Sequence, residues 1–401
     1  MVEMNQFKPL SDIRVLELTV FWSGPYTGRL LAELGAEVIK IEPPWGDPQR
    51  YVPPYVNIVD EKMSLHFIFY NANKKFITLN LKTEKGRSLF LELIKKTDIF
   101  IENLKPGSLE RMGLGYDTLK VVNPRLIYCS ITGYGYHGPY KELPGFDPTV
   151  EAESGFMDTN GFPEMPTRVG MGILDIMTPY AAVGAILAAL RYRDKTGEGQ
   201  RIDMAMFDMA VIASQQSMVY YLGNLPYRVG PSSSMFYPEY LYKTKDGYIY
   251  VIIHTDDAWK RLAEYFGRED LANNPNYRTN EGRLRHKEEL HKIVSKWFED
   301  LSTEEAFRIV SQAGGVAGRF RPLSSQLTDP HVRARELYKE IEIPSENKRI
   351  ILPNSVFKLE KIQAEVNTVP MPRGYHNFEI FKSLLGLTDD EIKRLKQEKS
   401  I

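Results

Sequence analysis

Three consecutive stretches near the start of the chain alternate in character. RVLELTV (14–20) is an apolar run of strand length, GPYTGRLLAELGA (24–36) spaces its apolar residues at helical intervals, and VIKIE (38–42) reads as a strand again. A β-α-β unit commits the chain to parallel pairing, because two strands joined through a crossover helix run in the same direction. FITLNL (76–81), the amphipathic stretch 85–96, DIFIEN (98–103), LIYCSITG (126–133) and a predicted strand at 201–205 continue the pattern. The expectation is an α/β fold whose mostly parallel sheet is covered by helices. Ligands of such sheets gather at the carboxyl ends of the strands. Those ends here are LTVFWSGPY, IEPPWGDPQR, NANKK, IENLKPG and SITGYGYHGPY.

Beyond Leu222 the style changes. Pro, Ser and Tyr crowd into LPYRVGPSSSMFYPEY, and YLYKTKDGYIYVII reads as a hairpin turning at Asp246 and Gly247. Two or three helices are expected between Asp257 and Ala313, making a smaller α/β domain. LSSQLTDPHVRARELY then resumes the earlier style, and LTDDEIKRLKQ is a capped helix. The expected division is therefore 1–224 for the first part of a large domain, 225–320 for the small domain and 321–401 for a segment returning to the large one. At 401 residues with 43% hydrophobic content, the chain can supply both with cores.

Several function classes fall away. Lys plus Arg number 51 against 52 Asp plus Glu, with no long run of one sign, so no basic footprint for nucleic acid is present. Cys129 is the only cysteine, which excludes an intrachain disulfide and a Cys-based zinc site; no metal is expected, and a reducing cytoplasm suits the chain. MVEMNQFKPLSDIRVLEL lacks the basic and apolar regions of a secretory signal. Residues 169–190 approach membrane-spanning length, but Asp175 near their centre would cost about 2.5–3.5 kcal/mol in a bilayer and Pro179 interrupts them. They read as interior, with a buried helix from about Thr178, and no membrane is expected as a partner. The turn FWSGPYTG lacks GxGxxG, and Walker A, HExxH and GxSxG are absent. No permanently bound cofactor is expected.

Charge does collect at the strand ends, in Arg50, Lys74, Lys75 and Arg111. With the turns around them these residues could cradle phosphates, although each alone is ordinarily a solvated surface charge. Asp175 admits two readings from pattern alone. It is either an acid stabilising the start of the apolar helix, or a nucleophile flanked by Gly170 and Gly172, whose backbone leaves donors near the carbonyl it attacks.

The stretches LSDIRVLELTVFWSGPYTGRLLAELGAEVIKIEPPWGD, NANKKFITLNLKTEKG, IENLKPGSLERMGLGYDTL, NPRLIYCSITGYGYHGPY, GFDPTVEAESGFM, RDKTGEGQRIDMAMFD and DPHVRAR, together with the Asp175 region, resemble the family III CoA-transferases. The resemblance runs in order over nearly the whole chain and is weakest in the small domain. It implies that Asp175 is the nucleophile and that CoA and acyl-CoA are substrates rather than resident cofactors. It also implies a Rossmann-like large domain formed by both chain ends, and a homodimer of interlocked chains. By the same resemblance CoA lies near Asn73, Lys74, Lys75, Asn103, Leu104, Lys105 and Arg111. The acyl pocket, taking a small carboxylic acid, includes Trp22, Phe146, Asp147, Gly172 and part of the second subunit. Aspartate is ionised at neutral pH, with an ordinary pKa of about 3.9, and needs no base to attack a thioester. Its intermediates need protection from water.

The sequence departs from the family in places. Formyl-CoA transferase has a glutamine where Trp22 stands, a basic residue is common where Pro43 stands, and a glycine-rich flap is matched only by VGPSSSMF (229–236). Related α-methylacyl-CoA racemases pair the aspartate with a histidine in a Gly-His-Asp stretch, because inversion needs an acid and a base on opposite faces. Here that stretch is Gly145, Phe146, Asp147, which favours transferase over racemase. His137 is the nearest substitute, while His331 and His376 read as structural. Asp147 before Pro148 could orient substrate or simply start a helix. A CoA-binding protein without turnover is a third reading.

Overall fold

The structure, a computed structural model, describes residues 8–344 and 347–401. The segment read as lacking a secretory signal lies partly outside the described residues. The described chain forms two compact units. The large unit takes the chain up to Ser154, then Gly170–Ile212 and Asp329–Ile401; the small unit takes Gly155–Val169 and Ala213–Thr328.

In the large unit, β1 (Arg14–Leu18), β2 (Glu37–Glu42), β3 (Lys75–Thr78), β4 (Ile99–Glu102), β5 (Ile127–Thr132) and β6 (Gln200–Ala205) form one sheet. Its order is β6-β5-β4-β1-β2-β3 and every pairing is parallel. From β1 the chain lays β2 and β3 outward on one side, then crosses back and lays β4, β5 and β6 on the other. The direction of winding therefore switches between β1 and β4, where sheets of this order open a crevice for ligands.

The near-continuous apolar runs of the sequence follow from burial on both faces. Val15, Val38, Ile99, Ile101, Ile127, Cys129 and Ile131 face α1 (Ser23–Glu33) and the long α5 (Ile173–Thr196). Their neighbours Leu16, Ile39, Ile41, Phe100 and Tyr128 face the opposite side, covered by α3 (Glu84–Ile94). α1 comes close to β1 because position 28 is glycine: a β-carbon there would stand 1.7 Å from Glu17 Oε2.

The sheet is not built by both chain ends. All six strands precede residue 206, and the returning segment contributes α7 (Asn377–Leu385) and α8 (Asp389–Gln397), whose Ile380, Phe381, Ile392 and Leu395 complete the core on the α3 face. α5 has the length and hydropathy of a membrane span, but its Leu174, Ala182, Val183, Ile186, Ala189 and Leu190 are buried within the large unit. It begins at Ile173, not near Thr178, and carries Pro179 inside it. It is only half interior, since Leu187 and Tyr192 are exposed.

In the small unit, Glu239–Lys243, Tyr248–Ile252 and Val316–Arg319 form an antiparallel sheet, and Thr244 N–H closes the predicted Asp246, Gly247 turn onto Gly247 O at 2.9 Å. Helices Asp256–Tyr265, Lys287–Glu299 and Thr303–Gln312 supply Trp259, Leu262, Val294, Phe298 and Ile309 to its core.

Candidate active site

The loop from β1 to α1 carries Trp22 at the carboxyl end of the central strand. Its indole stacks on two rings from α2 (Leu65–Asn71): His66 at 5.4 Å and 18°, and Tyr70 at 5.3 Å and 26°. These are one helical turn apart and so share a face. Against the same indole lies Gly172, the residue before α5, with φ of +71°; a β-carbon on it would be 2.4 Å from Trp22 Cζ3 and 3.7 Å from Asp175 Cβ. Trp22, Gly172 and Asp175 are therefore neighbours.

Asp175 lies in the first turn of α5, where unpaired N–H groups and the aligned peptide dipoles favour a negative charge. The capping contact comes from another carboxylate. Asp147, at the start of α4 (Asp147–Glu153) and only 2% exposed, accepts a 2.8 Å hydrogen bond from Leu174 N–H through Oδ2. Both acids are felt at Tyr70: burial first, then the charges of Asp175 and Asp147, push its phenol up to about 12, so it stays a hydroxyl at neutral pH. Phe146 is 57% exposed and meets the edge of Phe21 at 5.5 Å and 83°. Trp22, Phe146, Asp147, Gly172 and Asp175 thus all belong to the region around the β1 loop and the start of α5. Asp175 itself is half-buried in the single chain, short of the dry pocket expected for it.

The basic residues behave differently. Lys74 does not point outward to a phosphate: its ammonium is buried and its three donors go to Glu17 Oε1 (2.8 Å), Pro25 O (2.6 Å) and Asn71 Oδ1 (2.9 Å). Arg50 is likewise buried, forked onto Glu42 at 2.7 and 2.6 Å and lying 4.0 Å over the Phe67 ring. Asn73 binds the backbone of Glu365, Asn367 and Thr368. Lys75, one-third exposed, is shared by Glu37 (2.8 Å) and Glu379 (2.7 Å). Asn103 clasps one residue across the β1–β4 crevice, accepting from Val20 N–H at 2.8 Å and donating to Val20 O at 2.7 Å. Leu104 packs on the core of the α3 face. Lys105 and Arg111 are exposed beyond the end of β4, with Arg111 donating to Ser108 Oγ at 3.2 Å.

Among the histidines, His137 has a side chain 91% exposed, 3.9 Å from Asp203. His376 Nδ1 accepts from Phe76 N–H at 2.9 Å, a structural role. His66, Tyr70 and Phe21 were missed in the sequence. The one available signal was the i, i+4 spacing of His66 and Tyr70 in LHFIFYN, which places them together but does not say what they face. Among the described residues no group of three or more His, Cys, Asp or Glu could hold a metal ion.

Comparison with known proteins bears on this arrangement. The sequence profile of CoA-transferase family III matches residues 10–377. The chain is 36% identical to succinyl-CoA–D-citramalate CoA-transferase of Chloroflexus aurantiacus, with 98% of each covered. It is 34% identical to human succinyl-CoA:glutarate CoA-transferase, covering 98% of this chain and 90% of that protein. A CAIB/BAIF family protein from Brucella suis superimposes with a TM-score of 0.85 at 31% identity, covering 94% of this chain and 100% of the other. A six-stranded parallel sheet, a carboxylate at the start of its longest helix and a family match across nearly the whole chain agree, and the chain belongs to CoA-transferase family III.

Proposed function

We propose that this enzyme moves CoA from an acyl-CoA to a free carboxylic acid through covalent intermediates on Asp175. The single observation that carries the reading is the placement of that carboxylate in the first turn of α5, beside Gly172 and the Trp22 indole. The Asp175 carboxylate attacks the thioester carbonyl and expels the CoA thiolate, giving a mixed anhydride. The thiolate attacks the aspartyl carbonyl, releases the donor acid as its carboxylate and leaves an aspartyl-CoA thioester. The acceptor carboxylate attacks that thioester, forming a second anhydride and freeing CoA thiolate again. Attack of the thiolate on the acceptor's acyl carbonyl yields the new acyl-CoA and restores Asp175. The thioester is exchanged throughout, so no ATP is needed. N–H groups at the start of α5 are suited to the oxyanions that form.

Lys105 and Arg111 are the exposed charges suited to the CoA phosphates, at the strand end where ligands of such sheets bind. The names of the relatives pair succinyl-CoA with D-citramalate or glutarate, which supports a small dicarboxylic acid as acceptor. The half-exposed Asp175 and the exposed Phe146 and Met171 need a cover during turnover. α6 (Gln215–Leu222) has no buried residue, with Val219, Tyr221 and Leu222 exposed, and so offers apolar surface to a second copy. We assign a cytoplasmic homodimer with no resident cofactor.

The test is trapping. Incubated with succinyl-CoA and hydroxylamine, the enzyme should carry a hydroxamate at Asp175 by mass spectrometry, and should exchange CoA onto one or more dicarboxylic acids in an acceptor screen. Asp175→Ala should lower exchange at least about 10³-fold. Undiminished exchange by that variant would remove the nucleophile. Solvent deuterium entering the α-position without an acceptor acid would indicate a racemase instead.

A further inference from the structure

Beneath the loop that carries Trp22 lies a cluster of four buried ionisable side chains: Glu17 on β1, Lys40 on β2, Asp47 just beyond β2, and Lys74 immediately before β3. The two ammonium groups bond in the same way, each to an acid and to a main-chain carbonyl flanking Trp22, Thr19 O in the loop or Pro25 O in the first turn of α1. Lys40 Nζ lies 3.4 Å from Glu17 Oε1 and 3.2 Å from Asp47 Oδ2, and donates to Thr19 O at 2.7 Å and Thr19 Oγ1 at 3.2 Å. Lys74 Nζ meets Glu17 at 2.8 Å and donates to Pro25 O at 2.6 Å. Asp47 Oδ1 accepts from Phe21 N–H at 3.4 Å. The chain is therefore gripped at Thr19 and Phe21 in the loop and at Pro25 in the first turn of α1, on both sides of Trp22.

The grip has something to hold. Phe21 has φ of +60°, a left-handed conformation that is strained for a residue with a β-carbon and persists only where the surroundings impose it. Buried ion clusters are a poor means of gaining stability, since apolar residues of similar volume often do as well or better. Apolar residues could not donate to Thr19 O and Pro25 O. Burial lowers Lys74 to about 7 against the pull of Glu17, and burial raises Asp47 despite Lys40, so the site disfavours the charged form of both groups. Such an arrangement makes sense if the loop's shape matters more than its stability.

We propose that Lys40, Asp47 and Lys74 are positioning residues of the acyl pocket, a buried charged frame that locks the β1–α1 loop and the first turn of α1 in the bend which turns Trp22 onto Gly172 beside Asp175. The frame acts through the indole and touches no reacting atom. The inference rests on the assignment of Asp175 as nucleophile.

The test uses Lys74→Met and Asp47→Asn in the full-length enzyme, each made with and without Trp22→Phe, so that the difference in fluorescence isolates Trp22. The expected result is a fall in kcat of about 10²-fold with the succinyl-CoA KM within about twofold of wild type. The Trp22 component should shift to longer wavelength and become more accessible to acrylamide, with far-ultraviolet circular dichroism unchanged. Asp47→Asn keeps the size of the side chain, and carries the test if Lys74→Met does not fold. Wild-type kcat in a folded variant, or lost kcat with the Trp22 signal unchanged, would overturn the proposal. Asp175→Ala is the control that separates the two readings: it should abolish exchange while leaving the Trp22 signal in place. Exchange by Asp175→Ala would refute the nucleophile, while the fluorescence of the frame variants would still report on the loop.

Discussion

Replacing Gly172 by alanine tests the central contact of the site. Two costs can be worked out separately. The residue has φ of +71°, and the left-handed conformation costs a residue with a β-carbon about 1–2 kcal/mol. The new methyl would stand 2.4 Å from Trp22 Cζ3, whereas carbon atoms rest near about 3.5 Å, so the indole must retreat by about 1 Å. It is backed by His66 and Tyr70, and overpacking of that kind costs about 1–3 kcal/mol. The sum is about 2–5 kcal/mol in urea-unfolding stability. A displacement of about 1 Å beside the nucleophile should also lower kcat about 10²-fold. Adding Trp22→Ala removes the clash but not the backbone cost, so the double-mutant cycle should return a coupling of about 1–3 kcal/mol. Should Gly172→Ala unfold at the wild-type urea midpoint and turn over at the wild-type rate, the Trp22–Gly172 contact does not shape the site. Additivity of the two substitutions would refute the clash even if the single variant were slow.

Two further outcomes are expected. Asp147→Ala removes the acceptor for Leu174 N–H and should cost about 0.5–2 kcal/mol in stability, with a reduced kcat because the first turn of α5 carries Asp175; calorimetry and exchange assays check the two parts. Glu42 supplies an acid-dependent effect. Burial raises its carboxyl, but the charge and hydrogen bonds of Arg50 outweigh that and hold it below its usual value of 4.5. Its contribution to stability is complete above that value and is lost as pH falls through the lower, folded-state one. Wild-type urea midpoints should therefore drop below about pH 5, and Glu42→Gln should make that decline shallower. An equal decline in both would show that other carboxylates govern acid unfolding.

The strands were legible because burial on both faces writes an apolar run with no need of distant information, as in IYCSIT or EVIKIE. The small-unit hairpin was legible from Asp246 and Gly247, a local turn signal. Charges at strand ends were not. Whether Lys74 faces solvent or core depends on Glu17, a partner 57 positions away, and nothing in NANKK itself discloses it. The start of α5 was misplaced for a similar reason. Pro179 suggested a first turn near Thr178, whereas the helix starts at Ile173, just after Gly172, and the carboxylate that caps it is Asp147, 27 positions before the Leu174 N–H that it accepts from. Asp175 stood out as the lone acid of an apolar stretch, but the ring surface near it came from α2, whose half-buried residues look like any packing face.

The outer edge of β3 has a bearing on biosynthesis. Its Phe76 N–H is bonded by His376 and its Thr78 N–H by Asn377, residues 300 and 299 positions later, and Asn80 N–H reaches Ser400 O. A ribosome adding roughly 5–20 amino acids per second takes roughly 15–60 s to span that interval. During that time the nascent polypeptide bears an unpaired strand margin able to recruit other chains. Translation past residue 400 is what retires this hazard, so premature termination near residue 375 should yield inclusion bodies rather than a slightly shortened enzyme.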